Sequence, residues 1–103
     1  MPESPQVAEK TIDIETAGGS ASIRMLGASI ASLHIRGDAA ADYQWDARRR
    51  GGEWIQNVDD ELTGSADYDD VYETGDVEVR VRCSSGTGTA GDQATITLMA
   101  GGG

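Results

Sequence analysis

Val77, Val79, Val81 and Cys83 alternate with Glu78, Arg80 and Arg82 without a fault. Side chains along a strand point to opposite faces with a period of two, so this pattern buries one face and leaves the other in water. β-Branched valine suits such a half-buried pleated surface. Residues 84–91, Ser-Ser-Gly-Thr-Gly-Thr-Ala-Gly, follow with three glycines among small side chains. That is the composition of a connection between antiparallel strands. Residues 92–100 then form a second run rich in Thr, Ile and Leu. The stretch 76–100 therefore predicts a C-terminal β-hairpin on which the earlier strands assemble.

The rest of the chain has the same character. Residues 11–16 and 22–26 alternate around a Gly-Gly turn and predict a hairpin over 10–26. Residues 30–36 alternate with Leu33 and Ile35 inward and His34 and Arg36 outward, and 37–41 reads as a second connection. Residues 42–47, with Tyr43 and Trp45 on one face, and 53–58, with Trp54 and Ile55, flank an Arg-Arg-Arg-Gly-Gly turn. They predict another hairpin, in which facing aromatics contribute about 0.5–1 kcal/mol. An acidic segment, 59–70, and a short strand, 71–74, lead back to the first feature. Short strands with turns at intervals of about 8–12 residues mark an antiparallel sandwich or barrel. The expected fold is all-β: a single antiparallel β-sandwich, jelly-roll or immunoglobulin-like, of roughly seven to eight short strands. It spans 10–100, with a flexible N-terminal arm over 1–9, which carries Pro2 and Pro5, and a glycine tail over 101–103.

The chain of 103 residues is enough for one domain. It has no Phe, two Trp and three Tyr, so its core rests on Val, Ile, Leu, Met and Ala. Eighteen acidic residues face eight basic ones, a net charge of −10, and Lys10 is the single lysine. Nucleic acid is a poor partner for such a surface, since its affinity rests on neutralising phosphates, and an anionic membrane is disfavoured likewise. The N-terminal residues lack an apolar signal core, and no run of about 18 apolar residues exists to span a bilayer. Acidic, lysine-poor composition resembles that of proteins adapted to multi-molar salt, where carboxylate repulsion is screened within about 3 Å. Ordinary solubility accounts for acidity as well. Cys83 is alone, so no intrachain disulfide forms, and its inward position suits a small buried hydrophobe.

The candidate sites are few. Asp67, Asp69, Asp70 and Asp76, with Glu73 nearby, are cation candidates for Ca²⁺ or Mg²⁺, although the spacing is not that of an EF-hand and a solvated acidic surface explains them more simply. Arg48, Arg49 and Arg50 form the only basic run and are interface candidates, suited to pairing with acidic residues of this or an adjacent subunit. His34 is the lone histidine, with no patterned partner for acid–base work. Trp45 and Trp54 suit core anchors, or a sugar-binding platform together with the region of Tyr68 and Tyr72. No nucleophile elbow, Cys-x-x-Cys pair, phosphate loop or zinc motif occurs, so no catalytic residues are assigned and the expectation is a non-enzyme.

From residue 41 onward the order is distinctive: an aromatic strand, a Gly-Gly turn before Trp54, an acidic loop, a Val-Arg-Val strand, a Ser-Gly-Thr-Gly loop and a Thr-Ile-Thr-Leu strand. This order resembles the small β-sandwich proteins of tailed-virus particles, such as head decoration, turret, fibre and tail accessory proteins. With the acidic composition it is similar to such a component of a haloarchaeal tailed virus. The resemblance implies no catalytic residues and no cofactor. It implies a homo-oligomer that attaches to major capsid or tail proteins and resides in the virion, after assembly in the host cytoplasm. The alternative is a carbohydrate- or cation-binding β-sandwich module.

Overall fold

The computed structural model describes residues 6–101. Residues 1–5 of the expected arm and 102–103 of the tail lie outside the described residues. Six strands follow in order: β1 (Gln6–Asp13), β2 (Ser20–Arg24), β3 (Ile30–Arg48), β4 (Leu62–Glu73), β5 (Glu78–Ser85) and β6 (Gln93–Gly101). They form one antiparallel sheet in the order β1-β6-β3-β5-β2, with β4 on the remaining edge of β3. The sheet bends across its middle into a nearly closed, barrel-like shell of 45 × 28 × 19 Å. The all-β antiparallel expectation holds, but the count and the two-sheet sandwich do not. Six strands replace seven or eight, because β3 runs unbroken for 19 residues where a turn was expected.

The spine is β3. Tyr43 pairs with both Leu62 of β4 and Cys83 of β5, and Ile35 pairs with both Tyr68 of β4 and Ile96 of β6. One edge of β3 thus carries β4, while the other carries β6 along its first half and β5 along its second. Both β5 and β6 are antiparallel to β3, so they run in the same direction and cannot form the expected C-terminal hairpin. Residues 86–92 are a jog between two segments of one interrupted strand. Likewise, four antiparallel steps separate β1 from β2, which gives them one direction and rules out the 10–26 hairpin. β1 pairs with β6, and β2 pairs with β5. The two jogs are stitched together: Thr87 N–H donates to Ile14 O at 2.8 Å, Gly88 N–H to Glu15 O at 2.9 Å, and Gly18 N–H to Cys83 O at 3.0 Å.

The hairpin expected around the arginine turn does form, and it is much longer than its sequence signal. Ala47 bridges Ile55, Val58 N–H donates to Trp45 O at 3.0 Å, and β4 carries the pairing with β3 on as far as Glu73, through register shifts between Tyr43 and Arg36. Residues 53–58 make only that single bridge, whereas the acidic segment read as a loop supplies most of β4. β1 begins at Gln6, so residues 6–9 of the expected arm are strand, and Gly101 of the expected tail closes β6.

The bend lies where β3 shifts register between Arg36 and Tyr43. Gly37 permits it: a Cβ there would stand 2.8 Å from Ala66 O. A glycine marks a bulge as readily as a turn, which is why 37–41 reads as a connection in sequence. Tyr68 clamps the bend from β4, its hydroxyl donating to Ala41 O at 3.0 Å and accepting from Ser65 N–H at 2.9 Å.

Folding the sheet brings its inner faces together. Ile35, Ile96, Leu98, Val79, Val81 and Cys83 are fully buried, with Tyr43 and Trp45 as the two large side chains. Trp45, from the second half of β3, lies 5.4 Å from Tyr72 of β4, and Tyr43 meets Tyr68 edge-on at 5.6 Å. The inward faces read from sequence are correct for Leu33, Ile35, Val79, Val81 and Cys83. Val77 precedes β5 and stays 40% exposed.

Candidate functional site

Three features lie outside the apolar core. The first is a charged cluster on the outer face of β3 and β5. Asp46 points away from the core yet is completely buried, because residues 53–58 fold over it. It accepts from Arg80 Nε at 2.7 Å, Arg82 Nε at 3.0 Å and the Asn57 backbone N–H at 3.0 Å. Asn57 holds a left-handed conformation, φ 59°, which asparagine tolerates well. Burial raises the Asp46 pKa, but the hydrogen bonds from Arg82, Arg80 and the Asn57 amide outweigh it and hold the carboxyl below its usual range. The Trp54 ring closes the cluster, with the Arg80 and Arg48 guanidinium carbons 4.4 and 4.8 Å from its centroid. All of Asp46's donors are structural, so the cluster's chemistry is to fasten the loop.

The second feature is on the outer face of β4, β3, β6 and β1. Cross-strand register sets Val71, Ser32, Met99 and Val7 in one row across the four strands. Val7, Val71 and Met99 are 58%, 54% and 42% exposed. The next row holds Asp69, His34, Thr97 and Glu9, in which His34 Nδ1 hydrogen-bonds Asp69 Oδ1 and Thr97 Oγ1 donates to Glu9 at 3.0 Å. At these rows lies an open hollow of about 680 Å³, its exposed apolar lining side chains being Val71 and Met99. Ser32 also lines it, but among the described residues no hydrogen bond joins Ser32 to His34. The pair His34–Asp69 therefore has no nucleophile set against it.

The third feature is the rim where the β2–β3 turn meets the β3–β4 turn. Arg24, Arg48, Arg49 and Arg50 gather there around Leu26 and Val77. Arg48 donates to Glu78 at 2.7 Å, and Arg49 lies 3.7 Å from Asp76. Leu26 is 63% exposed at φ 48°. A leucine with positive φ and open to solvent defies both local preferences at once.

The four cation candidates do not come together. Asp67 accepts from Gly37 N–H at 3.3 Å, Asp69 pairs with His34, Asp70 accepts from Trp45 Nε1 at 2.9 Å, and Asp76 accepts from Thr74 at 3.0 Å. Each carboxylate is engaged by its own neighbour, and no cluster of metal-ligating side chains forms among the described residues. Trp45 and Trp54 are not a shared platform, since the first is buried in the core and the second lies against the arginines. Arg48, Arg49 and Arg50 do lie at the surface, where the structure joins them with Arg24. Asp46 escaped sequence reasoning because it has the outward phase of an ordinary surface residue. The available signal was its eventual register opposite Arg80, and that follows only from the pairing.

The sequence matches no protein-family model and no curated protein sequence closely enough to assign a relative. Among solved structures, the chain is similar to the SPBc2 prophage-derived protein YomS, with a TM-score of 0.65 over 96% of both chains and 12% sequence identity. At that identity the likeness is one of fold.

Proposed function

We propose that this chain is a structural protein of a tailed-virus particle, self-assembling and attaching to the capsid, as a decoration or turret protein, or to the tail. The observation that carries the reading is the end-to-end correspondence of its fold with that of a prophage-derived protein. The twelve-residue β4 supports it, because its outer edge has no partner strand among the described residues and an unpaired edge is a template for pairing with another chain. The acidic, lysine-poor surface fits a particle that works in concentrated salt, and the partners are further copies and other virion proteins.

Light scattering on a sizing column, in dilute buffer and in multi-molar KCl, tests the reading. A discrete homo-oligomer in high salt that dissociates on dilution of the salt is expected. A monomer under both conditions at every concentration would overturn self-assembly. Thermal unfolding at one temperature in both buffers would overturn the salt adaptation, since screening a charge of −10 must relieve self-repulsion.

A further inference from the structure

We propose that two copies of this chain join by inserting Leu26 of one copy into the Val71–Met99 hollow of another. The inference rests on the self-assembly reading above and names its contact.

The two surfaces are complementary in shape and in charge. Leu26 is a projecting apolar side chain at the tip of a tight turn, where Ala28 N–H donates back to Met25 O at 2.8 Å. Around it stand four arginines, and Arg24 and Arg50 make no ion pair among the described residues. The hollow is the converse. Its exposed apolar side chains are Val71 and Met99, and its margin carries Asp69, which is paired with His34 and lies 4.0 Å from Arg36. Asp67 and Glu73 flank it on the exposed face of β4 and likewise make no ion pair among the described residues. An apolar knob among arginines thus faces an apolar hollow where the carboxylates of Asp67, Asp69 and Glu73 outnumber the one guanidinium, Arg36. Opposite potentials of this kind orient two partners and disfavour wrong pairings.

The strain at Leu26 points the same way. Glycine or asparagine would hold this turn at lower conformational cost, and either would be better placed in water. A residue that is locally unfavourable in both respects marks a position held for something outside the folded monomer. The row Val7–Met99–Ser32–Val71 likewise exposes three apolar side chains in register, a grouping more typical of a contact surface than of scattered surface residues.

Because the two patches are different, their loss is separable. In Leu26→Asp the knob is gone but the hollow remains, and in Val71→Asp the hollow is spoiled but the knob remains. Each variant alone should run as a monomer at concentrations where the wild type is oligomeric, with association weakened at least about 30-fold, as for loss of a central anchor. Mixed in equal amounts, they should form a 1:1 pair and nothing larger, because one intact knob and one intact hollow remain between them. Leu26→Gly guards against misfolding: it relaxes the turn, so it should melt at or above the wild-type temperature in dilute solution and still fail to assemble. If the single variants assemble like the wild type, the contact lies elsewhere and self-assembly stands without it. If the mixture stays monomeric, the knob does not meet the hollow. If the wild type itself never associates, both this contact and the self-assembly reading fall.

Discussion

Replacing Asp46 by alanine should unfold this protein far more readily than its position on an outward-facing strand suggests. The carboxylate is fully buried, and the side chains of Arg80 and Arg82 that bond it are only 20% and 21% exposed. Removing the anion leaves two cations facing each other in partly dry surroundings and frees the Asn57 amide. Breaking a fully buried ion pair costs about 3–5 kcal/mol, and the residual access of water to the arginines reduces this to about 2–4 kcal/mol. For a domain of this size that lowers the melting temperature by about 10–25 °C. Circular dichroism measures the midpoint, and Trp54 fluorescence reports the loop, which should shift to the red as residues 53–58 lose their anchor. Replacing all three side chains, with Asp46→Leu, Arg80→Met and Arg82→Met, should cost much less than Asp46→Ala alone, because no charge is then stranded. The pH dependence follows from the sign of the shift. Asp46 is held below the usual carboxylate range in the fold, so its contribution is complete above the unfolded value near 3.9. It is lost as pH falls below that point through the folded value, and the gap between wild type and Asp46→Asn should narrow there. An Asp46→Ala cost under about 0.5 kcal/mol, the range of an ordinary surface substitution, would refute the reasoning.

Further outcomes are expected at Tyr43, Trp45 and Gly86. Burial first, with smaller contributions from Cys83 and Tyr68, pushes the Tyr43 hydroxyl up to about 12, so ultraviolet titration of the native protein should show it ionising after an ordinary tyrosine. The fold should lose stability as pH rises from 10 towards 12, because the unfolded chain releases that proton first. The same hydroxyl makes no hydrogen bond among the described residues, so Tyr43→Phe should be neutral or stabilising by chemical denaturation. Trp45→Ala should cost about 3–5 kcal/mol, whereas Trp45→Phe, which keeps a ring against Tyr72 but drops the bond to Asp70, should cost less. Equal costs would mean that the indole N–H matters more than the packing. Gly86→Ala should destabilise by about 2 kcal/mol or more, since its methyl would sit 2.7 Å from Ile14 O and closer still to Glu15 O. An unchanged denaturation midpoint would show that the two jogs are not locked together.

The presence of most strands, and which of their side chains enter the core, were legible in this sequence. Both follow from a side-chain period of two, which is a property of the local chain: Leu33 and Ile35, Tyr43 and Trp45, Val79, Val81 and Cys83 all point where alternation puts them. The all-β class and the turn at the arginine run were legible for the same reason. What alternation does not encode is which strand lies beside which. A glycine-rich stretch serves equally as a hairpin, a jog or a bulge, and 14–19, 37–41 and 84–92 were resolved only by pairing over long distances. That pairing made one interrupted strand of β5 and β6, turned the acidic segment into an edge strand, and closed a loop over Asp46. It also separated the four aspartates that lie near one another in sequence, and gathered Arg24 with Arg48, Arg49 and Arg50 around Leu26. The sites of this protein are cross-strand neighbours, so they came into being with the register that β3 imposed on the strands along its two edges.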